Sequence, residues 1–577
     1  MKKAISIGII GVIVSVMLLA SLPAASAKLY GDANGDGEIT TLDFTYTGLI
    51  ILGDREPTEL ADANEDGDIN VGDITRIGSI ILERARFPGG TITAAMIFPP
   101  KGEILDPSIS WTGWYVRKAG IYETLFKNDI NMELKPELAT GYEQVSDTKC
   151  RIYLRKGVTY HDGTPFDADA VVYSINRVRD ESNSRHHEYD FIDSIYKTDD
   201  YTVTIITKEP YAPVIASLSD PVVSMVSPEA EDLDNNPVGT GPFEFVAFEP
   251  EVPRLVMVRN DNYWGRAVKL EAAILEYVSD PQTRAYKLEA GEVDMARGVP
   301  QAEVDIIDSK PGLDVVSKET LRTYFMYVNT GKEPFSNVTV RQALNYAIDR
   351  EEIVEAALED VGGVPAKCVF PSVMPWSAND DLEGYPFNQP KALSLLNDTG
   401  ITDTNDDGWL DYEGSTFELT IKTYTTRPEL KPTAEVIVAQ LEEIGIKASV
   451  ETRDIPALKE EVADGNYDLA LYAWGVAPTG DPDYFLSYHF HSDGKYAGWT
   501  RYSNPAVDDL IELGRTTFDY DDRWDYYKEA QEQILEDSPE IFVFYLNELV
   551  GLNTGVIGYE IYPNEITFLT WKMYNTA

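Results

Sequence analysis

Two short runs of acidic, amide and hydroxyl side chains have the spacing that binds calcium. The first run places oxygen-bearing side chains at loop positions 1, 3, 5, 7, 9 and 12, which are Asp32, Asn34, Asp36, Glu38, Thr40 and Asp43. The second repeats this pattern thirty residues later, at Asp62, Asn64, Asp66, Asp68, Asn70 and Asp73. Side chains at these positions converge on one ion, and the glycine at position 6 permits the tight turn. The sequence therefore predicts two Ca²⁺ sites, each leading into an apolar pattern of helical spacing.

Histidine is rare in this chain, and four of its five residues form two pairs. One pair, His186 and His187, directly follows Arg185, and the other is His489 and His491. Imidazole suits a borderline metal such as nickel, and an arginine fork pairs bidentately with a carboxylate. If residues 488–491 are extended, His489 and His491 lie on one side of the segment. A solvated charged loop and two loop histidines are the alternatives for these two clusters.

Composition and motifs favour a binding protein and not an enzyme. The chain contains no Ser or Cys nucleophile elbow, no His-Glu-x-x-His and no phosphate loop, and we expect no organic cofactor. A formal charge of -49 argues against nucleic acid and anionic membranes, since both require cationic patches. The 577 residues, 43% of them hydrophobic, indicate a globular protein with more than one packed unit.

The N-terminus has the pattern of an export signal. Two lysines, an apolar run over residues 5–22 and Ala25-Ser26-Ala27 predict a signal peptide over residues 1–27. The alternative is an uncleaved membrane anchor. We therefore expect a secreted protein on the extracellular face of the membrane or the cell surface. The two cysteines, Cys150 and Cys368, are expected to be buried thiols, although a disulfide is possible.

Several motifs occur in a fixed order through the larger part of the chain. Gly239-Thr240-Gly241-Pro242-Phe243 forms a sharp turn before an alternating strand, and Arg-Asn-Asp-Asn-Tyr-Trp follows at residues 259–264. With His-Asp-Gly-Thr-Pro-Phe at 161–166, these motifs resemble the extracellular solute-binding proteins of family 5, which feed peptide and nickel ABC importers. The resemblance covers residues 91–577. It implies an α/β fold of the type II periplasmic-binding-protein class (cluster C), with two lobes and two hinge crossings.

The resemblance also implies lobe boundaries and a ligand cleft. Lobe I is expected at residues 91–324, lobe II at 325–543, and the chain returns to lobe I at 544–577. Trp474 corresponds to the ligand-facing tryptophan of the family, whereas peptide-binding members carry an ammonium-binding Asp at the place of Ala477. Nickel-binding members carry an Arg-His pair near Arg185. The predicted ligand-binding residues are Trp114 (or a core tryptophan), Arg185, His186, Trp474, Asp481, Tyr484, His489 and His491.

The duplicated loop–helix unit resembles a type I dockerin, expected at residues 28–87. Dockerins bind cohesin domains on scaffold or cell-surface proteins, and helix residues at loop positions 10 and 11 help to choose the partner. Here these positions hold Thr41 and Leu42, then Val71 and Gly72, which depart from the commoner Ser/Thr pairs. The resemblance implies Ca²⁺ and a cohesin-type partner.

The two resemblances together predict the substrate-binding component of an ABC importer. Lobe closure would capture an oligopeptide or a nickel chelate, with a slight preference for the chelate, and deliver it to a membrane permease. The alternative function is a cohesin-anchored cell-surface adaptor in which the dockerin interaction is dominant.

Overall fold

The computed structural model describes residues 33–34, 41–53, 55–63, 69–74, 77, 89–100 and 104–576. The chain divides into two compact units, Met1–Phe87 and Pro88–Ala577. The predicted signal peptide lies outside the described residues. In the described part of the chain, no helix combines the length and apolarity that a membrane crossing requires.

The first unit contains one fully described helix, α1 (Thr41–Leu52), which follows the first predicted calcium loop. Asp43, at loop position 12, is fully buried, and its Oδ1 accepts a hydrogen bond of 3.0 Å from Asn34 N. In the second loop, Asp73 Oδ2 accepts one of 2.8 Å from Asn70 N. Asp62 is also described. The other predicted ligands lie outside the described residues: Asp32, Asp36, Glu38, Thr40, Asn64, Asp66 and Asp68.

The second unit is a mixed α/β structure. Its strands are β1 (Thr91–Met96), β2 (Phe126–Asn128), β3 (Leu134–Pro136), β4 (Ala139–Ser146), β5 (Lys149–Leu154), β6 (Ile192–Asp199), β7 (Thr202–Thr207), β8 (Phe243–Glu249), β9 (Arg254–Arg259), β10 (Ala272–Tyr277), β11 (Met295–Arg297), β12 (Leu313–Val328), β13 (Gly363–Pro365), β14 (Asp411–Tyr412), β15 (Ser415–Thr416), β16 (Glu418–Tyr424), β17 (Lys447–Arg453), β18 (Leu469–Gly475), β19 (Glu540–Asn553), β20 (Val556–Ile557) and β21 (Tyr574–Asn575).

Its helices are distributed over the whole length of the unit. They are α2 (Thr112–Lys118), α3 (Ala168–Arg179), α4 (Val214–Ser217), α5 (Pro281–Glu289), α6 (Val304–Asp308), α7 (Val338–Ala347), α8 (Arg350–Leu358), α9 (Gln389–Asp398), α10 (Leu430–Glu443), α11 (Ile455–Ala463), α12 (Asp483–His489), α13 (Ala497–Thr500), α14 (Pro505–Thr516) and α15 (Tyr520–Asp537). Short 3₁₀ helices occur at Glu59–Ala61 in the first unit and at His186–Tyr189, Pro221–Val223 and Gln301–Glu303 in the second.

Two long antiparallel strands, β12 and β19, connect the two lobes. The main sheet has the strand order β17-β16-β18-β12-β19-β11-β1-β10-β9-β8, so these two strands lie at its centre. Both predicted lobe boundaries fall within them, and each lobe has its own apolar core. The predicted two-lobed fold with two crossings is thereby confirmed.

The pairing of β12 with β19 is interrupted between the lobes. Glu319 pairs with Asn547, and the next pair is Thr323 with Tyr545, so residues 320–322 bulge out of the ladder. Thr320 Oγ1 donates to Leu546 O at 3.0 Å, which compensates one of the lost ladder contacts. A bulge bends a strand locally, and this one aims Arg322 into the space between the lobes.

The Gly-Thr-Gly-Pro-Phe turn is a packing element of lobe I. A Cβ atom on Gly239 or Gly241 would lie 2.1 Å from Ile121 O or Gly120 O, so only glycine fits there. The turn is tied to the motif at 259–264 through Glu123, whose carboxylate accepts from Thr240 Oγ1 (2.9 Å), Tyr263 OH (2.7 Å) and Trp264 Nε1 (2.6 Å). The most recognisable motifs of the sequence therefore stabilise the lobe.

Candidate ligand-binding cleft

A cavity of about 380 Å³ lies between the lobes, above the bulge in β12. Its aromatic lining comprises Phe98, Trp111, Trp114, Tyr115, Tyr277, Trp474, Tyr484 and Tyr496. Its charged lining comprises Lys118, Arg297, Arg322, Arg427, Glu429, Lys459, Glu548 and Glu565. The lobes contact each other beside it, where Ala212 N donates to Arg515 O at 2.8 Å and Ser219 Oγ donates to Thr479 O at 3.4 Å. The conformation is therefore a closed one.

Helix α2 supplies the wall on the side of lobe I. A Cβ atom on Gly113 would lie 2.6 Å from Pro221 O, so the helix packs closely against the segment behind it. This packing presents Trp111 and Trp114, whose ring centroids are 6.0 Å apart in an edge-to-face arrangement. Trp114 thus has its predicted place on the cavity wall. Its buried Nε1 and the buried Tyr277 hydroxyl have no hydrogen-bond partner in the described structure.

Arg185 does not line this cavity. Its guanidinium lies 4.1 Å from the Trp111 ring centroid, and it binds the carboxylates of Glu188 and Asp220, both at 2.6 Å. This arrangement does not fit the prediction that Arg185 binds a ligand carboxylate. Two carboxylates of lobe I already occupy the Arg185 guanidinium. His186 is half-buried, and its Nδ1 is 2.9 Å from Asn183 O. Arg185 supports the cavity indirectly, by holding Trp111 in place.

Strand β18 and helix α12 form the wall on the side of lobe II. Trp474 packs edge-on against Tyr496 with ring centroids 4.8 Å apart. Gly475 follows, and its Cα approaches Trp114 so closely that a Cβ there would lie 3.6 Å from the indole. Tyr484, in the first turn of α12, completes this wall. Trp474 and Tyr484 therefore line the cavity as predicted.

The predicted alignment of His489 and His491 is wrong. The segment is not extended: α12 ends at His489, and His491 lies beyond it. His489 is buried, stacks on Phe485 with centroids 3.8 Å apart, and its Nδ1 is 2.9 Å from Glu540 Oε1. His491 Nε2 lies 3.4 Å from Glu512 Oε1. Burial holds the pKa of His489 well below its usual range. Neither imidazole is among the residues that line the cavity.

Asp481 is committed to an ion pair. Both of its carboxylate oxygens accept from Arg523 Nη2, at 3.0 and 2.9 Å, and the side chain is buried. Burial raises the pKa of Asp481 although the charge of Arg523 opposes this. Asp481 lines a second cavity of about 570 Å³ beside Tyr484 and does not reach the one at the hinge. In this conformation, Asp481 therefore does not replace the ammonium-binding Asp that peptide-binding members carry at the place of Ala477.

Two cationic side chains of the cavity were not predicted. Lys118, at the end of α2, and Arg427, just before α10, make no ion pair within the described structure. Burial, followed by the charge of Arg297, lowers the pKa of Lys118 well below its usual range. The only sequence signal was the break Arg427-Pro428 ahead of a helix, which does not reveal that the side chain faces a cleft. These two residues are cationic lining groups without an ion-pair partner in the described part of the chain.

The charge of the lining is opposite to that of the chain. Its five cationic and three acidic side chains give a formal charge of +2, whereas the whole chain carries -49. The floor holds a network in which Arg297 binds Glu548 bidentately at 2.9 and 2.8 Å and Arg322 binds Glu565 at 2.8 and 3.1 Å. An aromatic cavity with excess cationic groups is suited to a ligand that bears carboxylates.

Two lobes, two crossing strands and an aromatic cavity at the crossing define a ligand-trapping binding protein. The comparisons with known proteins agree. The model of bacterial extracellular solute-binding proteins, family 5, matches residues 133–497, and that of the type I dockerin domain matches residues 30–82. The chain belongs to the family 5 solute-binding proteins and carries a type I dockerin domain before them.

Individual relatives cover most of the chain. Heme-binding protein A of Haemophilus influenzae is 30% identical over 485 residues, which are 78% of this chain and 86% of the relative. The dipeptide-binding protein of Escherichia coli is 27% identical over 465 residues, 75% of this chain and 84% of the relative. A crystal structure of the nickel ABC transporter from Bacillus halodurans matches with a TM-score of 0.71 at 28% identity, covering 84% of this chain and 99% of that one.

The family assignment fixes the general class of function. Proteins of this family are binding components of ABC importers for solutes such as peptides and nickel, and they are not enzymes. Neither family match favours the alternative in which a cohesin-bound adaptor function is dominant.

Proposed function

We propose that this protein is the extracellular substrate-binding component of an ABC importer and captures a compact, carboxylate-bearing ligand. The observation that carries the proposal is the +2 formal charge of the aromatic cavity in a chain of charge -49. Closure of the lobes buries the ligand between Trp114 and Trp474, and Arg427 and Lys118 bind its carboxylates. The closed protein then delivers the ligand to a membrane permease.

The size of the cavity favours a small ligand. At about 380 Å³ it lies near the lower end of the roughly 300–1,000 Å³ typical of small-molecule sites. A long oligopeptide exceeds this space unless the lobes open further. A nickel–amino-acid chelate or a dipeptide is the size class that the closed form accommodates.

Charge supports the chelate over the peptide. A peptide brings an ammonium group, but two of the three acids of the cavity, Glu548 and Glu565, are paired with arginines, which leaves Glu429 with a hydrogen bond of 3.1 Å from the Tyr324 hydroxyl as the candidate ammonium partner. A metal chelate brings carboxylate oxygens and no free ammonium, which matches the unpaired Arg427 and Lys118. Because no histidine lines the cavity, the metal is recognised through its chelator.

The dockerin unit gives this binding protein a second attachment. We propose that Ca²⁺ in the two loops orders the unit, which then binds a cohesin-type partner on a scaffold or the cell surface. Export by the predicted signal peptide would place both units outside the membrane, on the side from which importers receive their substrates.

Thermal unfolding of the full chain tests the ligand assignment. The probes are Ni²⁺ with excess L-histidine, and a mixture of dipeptides. A ligand held at 100 times its dissociation constant stabilises the native state by about 2.7 kcal/mol. We expect the nickel–histidine shift in the wild type and its loss in Arg427→Met. Arg254→Met is the matched control, since Arg254 pairs with Glu249 on a partly exposed strand.

Each outcome decides between ligand classes. A shift with nickel–histidine that Arg427→Met removes supports the chelate. A shift with dipeptides alone, lost in the same variant, assigns the site to peptides. A shift that both arginine variants retain places the ligand elsewhere and contradicts the proposal.

A further inference from the structure

A carboxylate of the protein itself occupies the floor of the cavity. Glu565, in the C-terminal segment, reaches Arg322 Nε at 2.8 Å, Arg322 Nη2 at 3.1 Å and Arg297 Nη2 at 3.4 Å. Burial alone would raise the pKa of Glu565, but the charges of Arg322 and Arg297 outweigh it and hold the pKa below its usual range. Glu565 is therefore an anion at neutral pH, bound as a ligand carboxylate would be.

The backbone around Glu565 is adapted to this placement. Glu565 has a φ of +58°, in the left-handed region that is unfavourable for a non-glycine residue. The turn that contains it is also fixed to the bulge of β12, where Leu321 N donates to Pro563 O at 2.8 Å. A glycine at position 565 would avoid the strain and lose the carboxylate. The strain is thus sustained by the two arginine contacts.

Among the described residues, Glu565 is the one carboxylate that pairs with Arg322. Arg297 already binds Glu548 through two hydrogen bonds, so Glu548 satisfies that arginine without Glu565. Arg322, by contrast, has Glu565 as its ion-pair partner within the described structure. If Glu565 were neutral, the charge of Arg322 would be uncompensated, and if the side chain were absent, its guanidinium would be open to the cavity.

We propose that Glu565 is a specificity-determining residue that acts as a resident carboxylate: it fills the Arg322 position and excludes a ligand carboxylate from the floor. This inference deepens the proposed function and rests on it for the identity of the site. It limits ligands to those whose carboxylates all reach Arg427 and Lys118. A ligand with a further carboxylate directed at the hinge meets the charge of Glu565 and is rejected.

One test asks whether the position accepts a carboxylate from solution. Glu565→Gly removes both the side chain and the strain, and leaves room at Arg322. We expect sodium acetate, compared with sodium chloride at equal ionic strength, to raise the unfolding temperature of full-length Glu565→Gly in a saturable manner. The wild type and Glu560→Gln can bind acetate only at Arg427 and Lys118 and should show a smaller shift; Glu560 is the matched control because it forms an exposed pair with Lys572 in the same segment. Absence of an additional shift in Glu565→Gly, relative to these two proteins, overturns the proposal.

A second test uses the isosteric variant Glu565→Gln and measures ligand selectivity. The probes are alanyl-glutamine and alanyl-glutamate, which differ in one carboxylate, with calorimetry on the full chain. We expect the ratio of their dissociation constants to shift by about tenfold or more towards alanyl-glutamate in Glu565→Gln, as for a gained charge-assisted hydrogen bond. A purely structural ion pair would weaken both ligands equally and leave the ratio unchanged, which contradicts the proposal.

The two tests separate this inference from the proposed function. The acetate experiment needs no natural ligand, so its result stands even if neither dipeptide binds the wild type. If neither dipeptide binds, the ligand assignment is revised and the acetate result alone decides the role of Glu565. If acetate fails while dipeptides bind, the proposed function survives and the resident-carboxylate role is rejected.

Discussion

The stability of lobe I should depend on pH through Glu123, the buried hub of its sequence motifs. Burial, followed by the charge of Glu137, raises the pKa of Glu123 to about 7, although Arg117 and the Trp264 and Tyr263 donors oppose this. An unfolded Glu titrates near 4.3. The folded pKa of Glu123 therefore exceeds the unfolded pKa by about 2.7 units, and between the two values folding favours the protonated carboxyl.

This interval converts into a change of stability with a definite sign. At 1.36 kcal/mol per unit, the contribution is about 3–4 kcal/mol. Because the folded pKa is the higher one, this stability is fully present below about pH 4 and is lost as the pH rises through about 7. Glu123→Gln cannot ionise and retains a similar shape. The variant should gain on the wild type by up to about 3–4 kcal/mol between pH 4.5 and pH 8.

Denaturant unfolding of the full chain at several pH values measures this difference. Carboxylates remote from Glu123 titrate in both proteins and cancel in the comparison, whereas Glu137 interacts with Glu123, so the free-energy difference between variant and wild type reports the Glu123–Glu137 pair. Glu251→Gln, on an exposed turn, serves as the control for the removal of one carboxylate. A difference for Glu123→Gln that is constant across the range would refute the argument that the buried carboxyl is protonated below neutral pH.

Three further outcomes follow from the structure. The affinity for a carboxylate ligand should fall as the pH rises through the lowered pKa of Lys118, because the ligand binds the ammonium form. Calorimetry of ligand binding should then detect proton uptake in the wild type but not in Lys118→Met. Gly241→Ala should cost about 1–3 kcal/mol or more of unfolding free energy, because its Cβ would lie 2.1 Å from Gly120 O, whereas Gly141→Ala meets nothing within 4 Å and should change little. Chelation of Ca²⁺ by EGTA should lower the unfolding transition of the dockerin unit and leave that of the second unit in place, as scanning calorimetry of the full chain would show; a chelator-insensitive profile would contradict the predicted loops.

The fold was predictable from the sequence because its determinants are local. Strand alternation, the turn at 239–243 and the apolar spacing after residue 338 specify elements without reference to distant residues. Asp167, for example, caps α3 by accepting from Asp169 N and Ala170 N. The two crossing strands are long and continuously apolar in their buried halves, and the lobe boundaries expected from the family resemblance fall within them.

The site was less predictable because its charges depend on partners from distant parts of the chain. Arg185 was an attractive ligand-binding group until Asp220, from another segment, occupied its fork. Asp481 is likewise neutralised by Arg523. The prediction that His489 and His491 lie on one side of the segment was wrong for a different reason. It assumed an extended segment, whereas residues 483–489 form a helix. Charged side chains without an ion-pair partner, such as Lys118 and Arg427, can be identified only after the ion pairs of the other charged residues are known.

The contrast between the acidic chain and the cationic cavity determines how binding should respond to salt. The chain carries a formal charge of -49, which repels a carboxylate. At 0.15 M ionic strength the Debye length is about 8 Å, so this repulsion acts only near the surface. The attraction comes from Arg427 and Lys118 inside a closed cavity, where screening is much weaker. The dissociation constant of a carboxylate ligand should therefore change little between low and high salt, measured by quenching of the cleft tryptophans. A steep loss of affinity with salt would mean that exposed surface charges bind the ligand, and the cavity would then not be the site.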